Sequence, residues 1–247
     1  MKFGDEVFVD DYNVDRMLVG DCDKDGTIEI LAIAQQREYY PCALLKVDAR
    51  SGLLLDEYWS PGCIVGIAAR DLDGDGITEI FVAGQNNGYD RASLAVLDPR
   101  FISGYAAAPP NYQPVDVAPA AEQYYIRFQL SNLAQFVKGK RNVVGNLVTQ
   151  PDGTMLIWVS EPAKETEYSL MYYFDSSMRC ARVDAHDEFV KFHKRLEAES
   201  KLKRVLDAQY FEELRRGVEY WDGEKFVNEP VMNKRYAEAV KKPLASR

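Results

Sequence analysis

Acidic side chains at alternate positions are the residues of this chain best suited to chemistry. In "VGDCDKDGTIEILAIA", residues 19–34, three aspartates alternate with other residues, and a glycine and a glutamate follow. Like charges this close repel one another, so the arrangement needs a cation or a strongly solvated loop. A hard divalent cation such as calcium takes several oxygen ligands at about 2.3–2.6 Å in flexible geometry. The stretch therefore predicts a calcium-binding loop.

A second stretch, "RDLDGDGITEIFVAG" at residues 70–84, repeats this spacing. The predicted ligands are the carboxylates at positions one, three, five and nine of each loop, with the backbone carbonyl at position seven. The glycine at position six lets the chain turn sharply. The two ligand sets are Asp21, Asp23, Asp25, Thr27 and Glu29, and Asp71, Asp73, Asp75, Ile77 and Glu79.

Acidic loops of this kind have two other interpretations. An EF-hand begins with the same D-x-D-x-D-G pattern, but it requires a glutamate at position twelve and flanking helices. Ala32 and Val82 occupy position twelve, within apolar runs that predict strands. The sequence therefore disfavours an EF-hand. Acidic turns on a solvated surface, without a metal, are the remaining alternative.

The loops belong to a longer internal repeat. Three glycine–aspartate pairs are each 22 residues apart: Gly26 and Asp48, Gly76 and Asp98, and Gly153 and Asp175. Short β-branched and aromatic runs between turn residues predict strands in each copy. Equal spacing at three places indicates one structural unit copied three times. The third copy keeps one carboxylate, Asp152, while Val148, Gln150 and Leu156 replace the others, which predicts a hairpin without a metal.

The two acidic stretches, with the L-x-x-x-D strands that follow them, resemble the integrin-α-type FG-GAP repeat, which also occurs in VCBS-repeat proteins. The resemblance covers residues 15–105 well and 140–185 weakly. It implies a β-propeller, calcium in the first hairpin loop of some blades, and a non-catalytic binding role, usually outside the cytoplasm. By this resemblance each ligand set binds one Ca²⁺. Glutamate at position nine departs from the aspartate that is common in the family.

The predicted fold class is all-β with a helical C-terminal region, in which four-stranded antiparallel sheets form the blades of a partial or small propeller. The blades are expected within residues 1–185, and residues 186–247 are expected to pack on them as a helical segment with a terminal hairpin and a short helix. The predicted units are about 15–66, 67–105 and 140–185, with an extended Pro/Ala-rich surface insertion at 104–124.

Several features outside the units also carry predictions. "DEVFVD" and "VEYWDGEKFV" are candidate strands of a fourth, ring-closing blade; the alternatives are a truncated piece or closure by another copy. The apolar spacing between Asp187 and Arg216 predicts one or two amphipathic helices, and a last short helix should begin near Pro230. The four cysteines, expected to be buried with one bridge possible, lack CxxC spacing: Cys22, Cys42, Cys63 and Cys180.

Charge and motif content narrow the classes of function. The net charge of −9 offers no basic stripe for nucleic acid, and no apolar run is long enough to span a membrane. No nucleophile motif or histidine cluster predicts an enzyme. We expect a calcium-binding module for protein or glycan binding and adhesion, in an extracellular or cell-envelope setting where such sites fill readily, although no signal peptide begins the sequence. The alternatives are a structural subunit of a larger assembly, as an oligomer or part of a longer chain, and a glycan-active enzyme domain.

Overall fold

The computed structural model of the chain describes residues 2–3, 6–7, 12–36, 41–129, 144–150, 154–162 and 167–242. Three sheets, antiparallel in nearly all their pairings, hold most of the strands in these ranges. A short separate ribbon pairs β1 (Lys2–Phe3) with β2 (Glu6–Val7). The predicted all-β class with a few helices is thus confirmed. No closed barrel or propeller ring is detected within the described ranges.

The first sheet is an antiparallel meander that continues from one strand to the next along the chain. The strands of the meander are β3 (Tyr12–Gly20), β4 (Glu29–Gln36), β5 (Cys42–Asp48) and β6 (Leu54–Ser60), and a fifth strand, β10 (Gly104–Tyr105), pairs in parallel with β6. The hairpin between β3 and β4 encloses residues 21–28, called here the first acidic loop, and Gly20 pairs with Glu29 at its base. The buried run of β4 is apolar and includes β-branched side chains, which suit a strand that is covered on both faces.

The second sheet begins with the same meander and then gains strands from distant parts of the chain. Its strands, in chain order, are β7 (Ile64–Arg70), β8 (Glu79–Asn86), β9 (Arg91–Leu97), β11 (Tyr124–Arg127), β16 (Glu219–Trp221) and β17 (Phe226–Val227). Residues 71–78, the second acidic loop, join β7 to β8. The predicted C-terminal hairpin is present as β16 and β17. The two candidate segments of a fourth blade do not pair with each other in the described residues, because β16 pairs with β11 and extends this sheet, while β2 pairs with β1.

The third sheet is a four-stranded antiparallel meander. Its strands are β12 (Val144–Thr149), β13 (Met155–Pro162), β14 (Glu167–Phe174) and β15 (Cys180–Ala185). The tip of its first hairpin, with Asp152 and Gly153, lies outside the described residues.

The three sheets pack face to face in chain order. Ile80 and Val82 of β8 share a core with Leu31 and Ile33 of the first sheet. Alternate residues of β8, such as Phe81, point to the opposite core and pack with the third sheet. The second sheet therefore lies between the other two and carries apolar side chains on both faces.

Three helices follow the third sheet in the described part of the chain. The helices α1 (Asp187–Ala198) and α2 (Ala208–Arg216) are the two predicted amphipathic helices, and they pack on β14 and β15. The helix α3 (Lys234–Ala239) begins after Asn233, which caps it by accepting a hydrogen bond from the backbone, so the start predicted near Pro230 is too early. None of these helices is long and apolar enough to cross a membrane.

The Pro/Ala-rich insertion lies on the surface only in its middle, where Val115 and Asp116 are exposed, whereas its two ends are buried. Its first residues form β10 (Gly104–Tyr105), which pairs in parallel with β6. Ala106 N donates a hydrogen bond to Trp59 O at 2.8 Å, and Ala106 and Ala120 are buried. Small alanine side chains let this segment pack closely against the first sheet, and this packing is what the composition alone could not predict.

Candidate metal centre

The first acidic loop brings together all four carboxylates of its predicted ligand set. One carboxylate oxygen from each of Asp21, Asp23, Asp25 and Glu29 lies within 4.8 Å of the others. The loop can close this tightly because Gly26 has a φ of 88°, a conformation that side chains rarely adopt. Backbone amides hold the ring of carboxylates: Gly26 N donates to Asp21 Oδ2 at 3.3 Å, and Asp25 N donates to Asp23 Oδ1 at 3.3 Å.

The second acidic loop repeats this arrangement with one difference. Asp71, Asp73 and Glu79 bring oxygens within 4.8 Å of one another, whereas Asp75 is not part of the cluster. Asp75 Oδ1 accepts a hydrogen bond from Ile77 N at 2.7 Å, as Asp25 Oδ1 does from Thr27 N in the first loop, so this bond is not what separates the two loops. The turn is the same as in the first loop, since Gly76 N donates to Asp71 Oδ2 at 3.0 Å and Gly76 has a φ of 89°.

The two glutamates at position nine are buried beneath their loops. Glu29 and Glu79 are 0% and 1% exposed. One oxygen of each accepts a backbone hydrogen bond, from Cys22 N at 3.1 Å and from Leu72 N at 2.7 Å. Burial raises the pKa of both carboxyl groups, that of Glu79 to about 7. Each loop therefore carries a strong electrostatic cost when all its carboxylates are ionised, and a bound cation would offset that cost.

The first loop also contains acceptors that the protein does not satisfy. Glu29 Oε1 and Asp21 Oδ1 are buried and have no hydrogen-bond partner among the described residues. A buried carboxylate oxygen without a partner is costly, and a hard cation is the partner that a ring of carboxylates suits best. The residues present thus fit a calcium or similar ion. The carbonyls of Thr27 and Ile77 stay predicted ligands; both residues lie in their loops and donate backbone hydrogen bonds to Asp25 and Asp75.

Sequence reasoning missed Lys46, whose ammonium group reaches the first loop from β5. Its Nζ lies 2.5 Å from Asp23 Oδ2 and 3.1 Å from Pro99 O, and the side chain is 2% exposed. The available signal was the alternation of β5, because Lys46 shares a face with Leu44, which is fully buried. A lysine at a core-facing position needs a buried partner, and here the partner is Asp23 of the loop.

The two acidic loops lie side by side. Thr78 N, in the second loop, donates a hydrogen bond to Cys22 O of the first at 3.0 Å. Asp98, which ends the second 22-residue spacing, is fully buried. Asp98 accepts hydrogen bonds from Arg100 and from Tyr236 of α3. These hydrogen bonds join the end of β9 to α3.

The remaining candidate groups lie away from the loops. All four cysteines are free and buried, so the possible disulfide is absent. His186 caps α1 by accepting a hydrogen bond from Glu188 N, and His193 is fully buried beside Tyr210. A groove of about 690 Å³ beside α2 contains one carboxylate, Glu229, and a cavity of about 60 Å³ contains one, Glu122.

The chain has no counterpart among the known proteins compared with it. It matches no protein-family model, and neither a curated protein nor a solved structure is significantly similar to it. A functional proposal for this chain therefore depends on the geometry of the two acidic loops and of the sheets that carry them.

Proposed function

We propose that this chain is a non-catalytic, calcium-stabilised binding module built from β-propeller-like blades of the FG-GAP type. The observation that carries the proposal is the ring of four carboxylates at the first loop, with Glu29 Oε1 buried in it and without a hydrogen-bond partner. The same spacing at the second loop supports a second ion there. Each ion would be held by the acidic side chains of one loop, with Glu29 or Glu79 as its buried ligand.

The position of the loops explains why an ion would stabilise the whole unit. Each loop joins the first two strands of a sheet, and the later strands of the meander pair onto those two. An ion that holds the loop closed would therefore stabilise the strand pair onto which the rest of the sheet assembles. Three successive meanders that pack face to face in chain order are the arrangement expected of neighbouring blades, which supports a partial propeller.

Thermal unfolding tests the calcium proposal. We expect the midpoint to rise in excess calcium relative to excess chelator, because a ligand present at about 100 times its Kd adds about 2.7 kcal/mol to stability. Magnesium should have a smaller effect, since it prefers a smaller, stricter octahedral shell. The double variant Glu29→Gln/Glu79→Gln, which keeps side-chain size, should lose the calcium-dependent shift. An identical midpoint with calcium and with chelator for the unmodified chain would remove calcium from the account.

The partner of such a module is a protein or a glycan, encountered outside the cytoplasm where calcium is abundant. Neither of the two cavities described above pairs two carboxylates, the arrangement that glycoside hydrolysis uses. These two cavities therefore do not support a glycan-active enzyme. Glycan and protein arrays probed with calcium, and again with chelator, should show calcium-dependent binding. Release of product from a bound glycan would instead favour the enzyme.

A second candidate function, a structural subunit, is favoured by one surface. One row of apolar residues crosses the four meander strands of the first sheet, on the face opposite the second sheet. The row consists of neighbouring residues on successive strands: Val19, Ile30, Val47 and Leu54. Val19 is 64% exposed and Leu54 is 54% exposed. An exposed apolar row across a sheet suits a second copy of this chain packed upon it. Light scattering should then detect a dimer that Val19→Asp disrupts, whereas a monomer at high concentration would argue against it.

A further inference from the structure

We propose that Lys46 is a built-in cation that takes part of the metal's role at the first acidic loop. The second loop, which has no such residue, is then the site with the higher calcium affinity. This inference rests on the proposed function, because it ranks the two calcium sites of the same module.

Lys46 forms an ion pair with Asp23, one of the carboxylates that would bind the ion. Its Nζ lies 2.5 Å from Asp23 Oδ2, and the other oxygen of Asp23 accepts a hydrogen bond from Asp25 N at 3.3 Å. Both oxygens of Asp71 in the second loop are also bound, but only by the backbone amides of Gly74 and Gly76, so the positive charge on Asp23 is what distinguishes the first loop. Lys46 also donates to Pro99 O at 3.1 Å and is 2% exposed, so solvent neither screens its charge nor competes for its partners.

The second loop has an apolar residue in the corresponding place. Lys46 follows Gly26 by 20 residues, and Val96, fully buried, follows Gly76 by the same number. Among the described residues, no lysine or arginine forms an ion pair with Asp71, Asp73 or Glu79. The charge of Asp75 contributes to the raised pKa of Arg100, but the guanidinium of Arg100 is bound by Asp98 at 2.6 Å.

The two clusters differ in the way that an internal cation would produce. The first loop gathers four carboxylates, whereas the second gathers three and leaves Asp75 outside. A positive charge inside the first ring reduces the repulsion that would spread its carboxylates. The same charge repels an incoming divalent ion. The ion pair between Lys46 and Asp23 must also break before Asp23 can fully coordinate that ion. The first loop is therefore better preorganised but binds calcium more weakly.

Calorimetric titration of the full chain with calcium tests this ranking. We expect two classes of site in the unmodified chain, with affinities that differ by about tenfold or more. Lys46→Gln, which keeps a donor for Pro99 O but removes the charge, should raise the weaker affinity by about tenfold and leave the stronger within about twofold. The matched pair Asp23→Asn and Asp73→Asn gives a readout that does not require substitution of a buried residue. Asp73→Asn should abolish the tighter binding, and Asp23→Asn should retain it.

The outcomes separate this inference from the proposed function. Two sites of equal affinity that Lys46→Gln does not change would overturn the ranking and leave two calcium sites in place. Loss of the tighter binding in Asp23→Asn, with retention in Asp73→Asn, would also overturn it. Absence of calcium binding in the unmodified chain and in every variant would instead remove the proposed function, and the ranking with it.

Discussion

Replacing Glu122 with glutamine should remove a pH-dependent loss of stability that comes from one buried carboxyl group. Glu122 is 1% exposed and joins the insertion to two distant segments. Its Oε1 accepts a hydrogen bond from Tyr58 Oη at 3.4 Å, and its Oε2 accepts one from Asn233 Nδ2 at 3.1 Å. Burial is the main cause that raises the pKa of Glu122 to about 8 from its ordinary value of 4.5.

The sign and size of the effect follow from linkage. Because the pKa is higher in the folded state, the folded chain keeps a proton that the unfolded chain has already lost between the two pKa values. Stability therefore falls as the pH rises from about 4.5 to about 8. Each unit of pKa difference is worth about 1.4 kcal/mol, so the contribution from about pH 6 to about pH 9 is roughly 2–3 kcal/mol. Glutamine mimics the protonated acid, because its amide can donate to Tyr58 Oη and its carbonyl can accept from Asn233.

Urea unfolding followed by tryptophan fluorescence at about pH 6 and about pH 9 measures the difference. The unmodified chain should lose roughly 2–3 kcal/mol more than Glu122→Gln between these two conditions. Glu238→Gln, at an exposed position of α3, is the matched control and should follow the unmodified chain. Parallel pH dependence of the unmodified chain and Glu122→Gln would refute the reasoning.

Three further predictions concern packing and buried groups. Gly84→Ala should lower the free energy of unfolding, measured in urea, by more than about 3 kcal/mol or prevent folding, because its Cβ would clash with a main-chain carbonyl. Gly52→Ala is the control: it lies in open space at a φ of 73° and should lose only about 1 kcal/mol. Burial lowers the pKa of His193, so stability should be lost as the pH falls below about 6.5. His193→Leu should abolish that part of the acid sensitivity. A variant that unfolds in acid at the same pH as the unmodified chain would contradict this. Burial raises the pKa of Cys42 and Cys180 to about 12, so a thiol reagent should label them only in denaturant, and rapid native labelling would count against the packing.

The features that sequence predicted best are local ones. Alternate carboxylates followed by a glycine lie within nine residues, and a hairpin of that length closes on itself, so Gly20 meets Glu29 without any help from distant segments. The two amphipathic helices are also encoded locally, by the spacing of side chains such as Phe189 and Phe192 on one face. The 22-residue spacing is local in the same sense, since in the first two copies it spans consecutive strands of one meander.

The features that sequence could not predict depend on which distant segments meet. Lys46 and Pro99 are 53 residues apart, and their contact exists only because the first and second sheets pack face to face. The hairpin of β16 and β17 was visible, but its pairing with β11 through Tyr220 and Ile126 depends on the path of the chain between them. Asp75 has the right spacing for a ligand and accepts the same backbone hydrogen bond as Asp25, yet it lies outside its cluster, so spacing alone does not decide which carboxylates meet.

A crystallographic map of the chain grown with excess calcium, with anomalous scattering to identify the ion, tests the central claim most directly. We predict an ion at the second loop, with oxygens of Asp71, Asp73 and Glu79 at about 2.3–2.6 Å from it. When calcium is saturating, we also predict an ion beside Glu29 Oε1 at the first loop. Loops that keep their shape and contain only water in excess calcium would contradict it.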